Sequence, residues 1–145
     1  MKELLKAIKT HLQADANLSY IRDGDIYITS DENLIPAATM FPSIAVKDGS
    51  ISNEQRLARN YLQDAEVRIT VYQRIIKPED SIMGARGVLA MASDVIASLV
   101  DQKLDLPSVQ NAFPITEDPS QTIKDKEEMI QKKTVTFSYS RHKSW

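Results

Sequence analysis

The chain has 145 residues, 42% of them hydrophobic and 26% charged, with a formal net charge of -2 and no cysteine. This length and balance predict one globular domain, 1–145, with room for a single core. The slight acidic excess argues against a dedicated nucleic-acid binder, and the missing thiols exclude disulfides, thiolate catalysis and cysteine-ligated metal sites.

The longest apolar runs fall well short of the ~20 residues of a membrane span, so no membrane partner is expected. The N-terminus alternates Lys and Glu with Leu, unlike the apolar segment of a signal peptide, which points to a protein made in a cytoplasm. From Lys2 to Ala14, Leu4, Leu5, Ile8 and Leu12 share one helical face opposite Lys2, Lys6, Lys9 and Gln13, the pattern of an amphipathic helix. Tyr20-Ile21 and Ile26-Tyr27-Ile28 flank Arg22-Asp-Gly-Asp25, which reads as a hairpin. Ser30 to Met40 reads as loop. A short strand, Ser43 to Asp48, is expected to end at Asp48-Gly49, and 50–65 to form a helical turn or a long connection.

The central strand is the most legible element. In Glu66 to Ile76, Val67, Ile69, Val71 and Ile75 point one way, while Arg68, Thr70, Tyr72 and Arg74 point the other. Lys77-Pro78 stops it, and a helix is predicted to about Asp101 with Ile82, Ala85, Leu89, Ala92, Ile96 and Leu99 as its buried stripe, widened by Val88, Val95 and Val100. Leu89 should therefore meet Ile69. Ser108 to Ile115 reads as a weaker strand and Thr116 to Glu128 as polar connection. A second long strand alternates from Met129 to Ser140 and ends in a basic tail, Arg141 to Trp145, whose default is to fray and whose cationic cluster beside Trp145 offers a docking point. The order predicts an α+β fold, a twisted and mostly antiparallel sheet flanked by the N-terminal helix and one long central helix.

Chemistry-bearing residues are sparse. His11 and His142 are expected on the surface, with no acid or nucleophile spaced to serve them. Asp23-Gly-Asp25 fails the calcium-loop pattern, because Ile28 and Leu34 fall where Gly and Glu are required. Glu117-Asp118 and Asp125 to Glu128 read as solvated loop carboxylates. There is no phosphate-cradling Gly-Lys-Ser/Thr and no Gly-x-Ser-x-Gly elbow. Gly84-Ala-Arg-Gly87 matches the backbone clamp of KH nucleic-acid-binding domains, yet a strand and Lys77-Pro78 precede it instead of a helix, and close helix–sheet packing explains it better.

With these elements in place, the chain resembles the tail terminator proteins of tailed bacteriophages and prophages, also called tail-completion or head–tail joining proteins. The resemblance rests on the Leu4–Leu12 helix, the Phe41-Pro42-Ser-Ile-Ala-Val-Lys-Asp48 strand, the Val67–Arg74 strand feeding the following helix, and the closing Lys133–Arg141 strand. It implies a non-enzymatic virion protein without cofactor or metal. Such a protein forms a ring with itself, commonly of six subunits, on the tail tube protein and offers a surface to the head connector or neck protein. Long strands with an edge to pair suit such a ring. Arg56, Arg59 and Tyr61 in the charged connection, with Tyr72 and Arg74 on the polar face of the central strand, are the candidate interface residues. The alternatives are another neck or head-completion adaptor, a KH-like nucleic-acid module, and a small enzyme using the loop carboxylates. Sequence-specific nucleic-acid binding is not expected.

Overall fold

Helix α1, Lys2–Ala14, forms where the apolar periodicity places it, with Leu4, Ile8 and Leu12 fully buried along one side. It ends at Asp15, whose carboxylate accepts the Asn17 N–H at 2.9 Å and caps a short 3-10 turn, Ala16–Leu18. The computed structural model describes residues 1–144. The expectation attached to Trp145 lies outside them.

The Asp-Gly segment makes a corner instead of a hairpin. Asp23–Asp25 is one 3-10 turn, held by an Arg22–Asp25 ion pair at 2.7 Å, and Asp25 also accepts the Met40 N–H at 3.1 Å. Ile21 and Ile26 on either side are both buried in the same core, so both flanks are drawn inward instead of against each other. Strand β1, Ile26–Ile28, leaves this corner and pairs in parallel with β2, Ser43–Gln55. The intervening 30–40 segment is loop, as expected.

Strand β2 does not end at Asp48-Gly49. A bulge lies between Asp48 and Ile51, and pairing with β3, Asn60–Arg74, resumes beyond it. A Cβ at Gly49 would sit 2.9 Å from the Glu66 carbonyl oxygen, so the bulged strand closes on its neighbour where only glycine fits. The stretch 50–65 is therefore a β-hairpin arm, and not a helical turn or a loop.

After Lys77, the helical stretch comes as α2, Pro78–Met83, and α3, Val88–Leu99. By length and composition, Pro78–Leu99 is apolar enough to cross a membrane, but Val88, Met91, Ala92, Val95 and Leu99 of its second half are buried in the main core. The break at 84–87 resets the helical phase: Gly87 donates to the Gly84 carbonyl, and Met91 donates to that of Gly87. Consequently Val88, Met91, Ala92, Val95 and Leu99 are buried, whereas Leu89 is 39% exposed. Of the predicted stripe, Ala92 and Leu99 are buried, as are the widening Val88 and Val95, whereas Ala85 and Leu89 turn outward because the chain starts a new helix at Val88.

Strands β4, Val109–Glu117, β5, Gln121–Asp125, and β6, Glu128–Ser144, complete a six-stranded sheet in the order β1-β2-β3-β6-β4, with β5 also on β6. Every pairing except β1–β2 is antiparallel. The fold is α+β. Residues 141–144, expected as a frayed tail, belong to β6, with the Arg141 side chain buried and His142 donating its N–H to the Ser108 carbonyl at 3.1 Å. On one face of the sheet, Ile44, Val46, Val67, Ile69, Val71, Val135 and Phe137 pack against α1 and α3. On the other, Ala45, Tyr72 and Ile130 pack with Tyr27, Ile35, Phe41 and Ile123, so the 30–40 loop and β5 cover part of the face that alternation assigned to solvent.

Candidate assembly surface

The β2–β3 arm projects beyond the helical layer, and residues 50–60 are all exposed. Its turn is closed by Arg56 donating to the Asn60 carbonyl and Asn60 donating to that of Leu57, each at 3.0 Å, with Ala58 in the left-handed region at φ 55°. Leu57 stands 78% exposed at the tip. Arg56 reaches Glu54 at 3.4 Å, a surface pair of little energetic weight that leaves both charges accessible. Arg59 is exposed beside it, and Tyr61 is half buried one residue into β3.

The arm also carries an open edge. Strand β1 covers β2 only at Ile44, Ala45 and Val46, and among the described residues no strand pairs its outer side beyond them. Because the Arg56 N–H points to β3, antiparallel alternation turns the N–H groups of Ile51, Asn53 and Gln55 outward. No proline interrupts this row, and the bulge between Asp48 and Ile51 bends only its inner end. At the base of the arm Gln63 donates to the Asn53 side chain at 3.1 Å and accepts from the buried guanidinium of Arg141, whose Nε has no partner.

Arg56, Arg59 and Tyr61 are thus brought together at one end of the sheet. Tyr72 and Arg74 lie at the other end of β3, roughly 40 Å away by strand rise. Arg74 is half exposed and paired with Glu128 at 3.3 Å. Tyr72 corrects the expectation of an exposed polar face: it is fully buried, and its hydroxyl donates to the Glu32 carbonyl at 2.5 Å. Burial pushes that hydroxyl far above its usual range.

The remaining candidates resolve as structure. His11 is half buried rather than a surface group, its Nε2 2.9 Å from the Ser98 carbonyl oxygen. Among the loop carboxylates, Asp118 pairs with Arg68 at 3.2 Å and Glu128 with Arg74, so they do not converge. Among the described residues no group of three or more His, Asp or Glu is placed to hold a metal ion. Gly84-Ala-Arg-Gly87 does follow a helix, α2, contrary to the sequence reading. Yet a Cβ at Gly84 would meet the Asp80 carbonyl oxygen at 2.5 Å and one at Gly87 that of Ile82 at 2.6 Å, and Arg86 stacks over the Tyr20 ring at 4.7 Å. Close backbone approach accounts for both glycines.

Sequence reasoning missed a polar network on the partly covered sheet face. Arg68 makes a two-pronged ion pair with Glu32, at 2.8 and 3.0 Å, and Thr70 bonds Thr134 at 2.8 Å. Burial alone would raise the Glu32 carboxyl, but Arg68, Lys132 and Lys47 together hold it below its usual value. The signal available was the row Arg68, Thr70, Lys132 and Thr134, polar side chains in the middle of two strands that pair with each other.

No protein-family model matches the chain, and no curated protein does. Among solved structures, a chain in the structure named "Virion of native gene transfer agent (GTA) particle" shares the fold, with a TM-score of 0.65 over 97% of this chain and 95% of that one. The two are 14% identical. The likeness therefore shows the fold alone.

Proposed function

We propose that the chain is a phage or prophage virion structural protein, a tail terminator-like ring subunit that caps the tail tube and joins it to the head. The observation that carries this reading is the near end-to-end likeness to a chain of a virion particle. The projecting arm supports it, because an unblocked strand edge is a ready-made surface for a neighbouring subunit. Heterologous association of one such edge with a different surface of the next copy closes into a ring when the rotation permits. In this reading the protein is non-enzymatic, and its partners are further copies of itself, the tail tube protein and the head connector or neck protein. Arg56, Arg59 and Tyr61 lie at the contact, with the two arginines fixing register more than affinity. Arg74 serves a separate contact at the far end of β3, and the mature protein resides in the virion tail or neck.

The test is assembly. Six copies of a 16.3 kDa chain come to about 98 kDa, which light scattering separates from a monomer, in free protein or after mixing with tail tubes. Ile51→Pro removes an outward N–H while leaving the β3 ladder intact, and should weaken the oligomer without unfolding the monomer. Arg56→Glu with Arg59→Glu should do the same through charge. Normal head-bearing particles from a clean deletion of the gene would refute the proposal.

A further inference from the structure

On the sheet face opposite the helices, a polar pocket of about 190 Å³ opens between the 30–40 loop, the β4–β5 connection and β6. Its walls include Glu32, Asn33, Arg68, Asp118, Lys132 and Lys133. Three cations thus face two carboxylates. Both carboxylates are committed to Arg68, Glu32 through two hydrogen bonds and Asp118 through one at 3.2 Å. Lys133 donates to the Asp118 backbone carbonyl at 2.8 Å.

Lys132 is the unbalanced group. It is only 6% exposed, and its Nζ donates to a single neutral acceptor, the Asn33 side-chain oxygen, at 2.6 Å. An ammonium carries three donors and a full charge, and burying one without a direct counter-ion is costly. The nearby Glu32 charge is drawn off by its two-pronged contact with Arg68. Lys47, on the next strand and in register with Arg68, adds further positive potential.

We propose that this pocket binds a small tetrahedral oxyanion of the inorganic phosphate class, with Lys132 as its principal charge and Lys133 as a second donor. The volume is that of roughly six waters, enough for such an ion with part of its hydration shell. The depth of Lys132 favours a free ion over a phosphate held in a polymer backbone. Once bound, the ion ties the 30–40 loop, through Asn33, to β6.

The experiment is isothermal titration of the full chain with sodium phosphate against sodium chloride at matched pH and ionic strength. Saturable binding at one ion per chain is expected. Lys132→Met, close in volume, should weaken it roughly tenfold or more, and Lys124→Met, on the exposed part of β5, should not. Asn33→Asp keeps the lysine but supplies an internal carboxylate, and should weaken binding as well even if Lys132→Met folds poorly. Non-saturating uptake, or wild-type affinity in the folded Lys132→Met protein, would overturn the site. Displacement of phosphate by an oligonucleotide lacking terminal phosphates would overturn the assignment to a free ion.

Discussion

The phase of α3 can be tested by truncating two leucines of the same helix. Leu99 is fully buried in the main core, whereas Leu89 is 39% exposed. Leu99→Ala removes three carbons from a packed site, about 2.4 kcal/mol of transfer free energy at ~0.8 kcal/mol per methylene. A cavity that relaxes only in part adds ~1 kcal/mol, giving a loss of about 3–4 kcal/mol. Leu89→Ala forfeits a fraction of the transfer term, leaves no closed cavity and slightly favours the helix, so its cost should stay near or below ~1 kcal/mol. Urea titrations followed by circular dichroism measure both, and in a chain of this length the Leu99 loss should lower the thermal midpoint by roughly 10 °C. Equal losses, or a larger one at Leu89, would mean that α2 and α3 form one continuous helix with the stripe first inferred from the sequence.

Two further outcomes are expected. Gly87→Ala should destabilise by about 1–3 kcal/mol, since its Cβ would meet backbone oxygen of α2 rather than a side chain that can swing away, and a neutral result in the same urea assay would remove the packing account of the glycine pair. Acidification should weaken the fold: the Asp25 carboxyl is held down by its hydrogen bonds from Arg22, and Glu32 is held down by Arg68 despite its burial. Folded-state values below the unfolded ones mean that this stability is present above the usual carboxylate range near pH 4 and is lost as pH falls through the lower folded values. Glu32→Gln should flatten part of that acid limb, and an unchanged pH profile in the variant would show that the Arg68 pair does not contribute.

The elements with strong period were readable from the residues alone. Leu4, Ile8 and Leu12 specify α1, and the odd positions of 67–71 and 135–139 specify two strands whose apolar side meets the helices, as observed. Those patterns are local consequences of one face meeting a core, so no partner need be known. Tertiary structure decided the rest, because the deciding atoms are distant in sequence. Asp48-Gly49 is a bulge and not a strand end, since Glu66 on the neighbouring strand lies against Gly49. Tyr72 is buried because a loop some 40 residues earlier, marked by no periodicity, crosses its face and accepts its hydroxyl at Glu32. The same crossing pairs Glu32 with Arg68 and leaves Lys132 beside Asn33 alone. Alternation in a strand specifies two faces but not what lies over the second one, and here that second face holds the polar pocket, while the exposed arm holds the edge proposed for assembly.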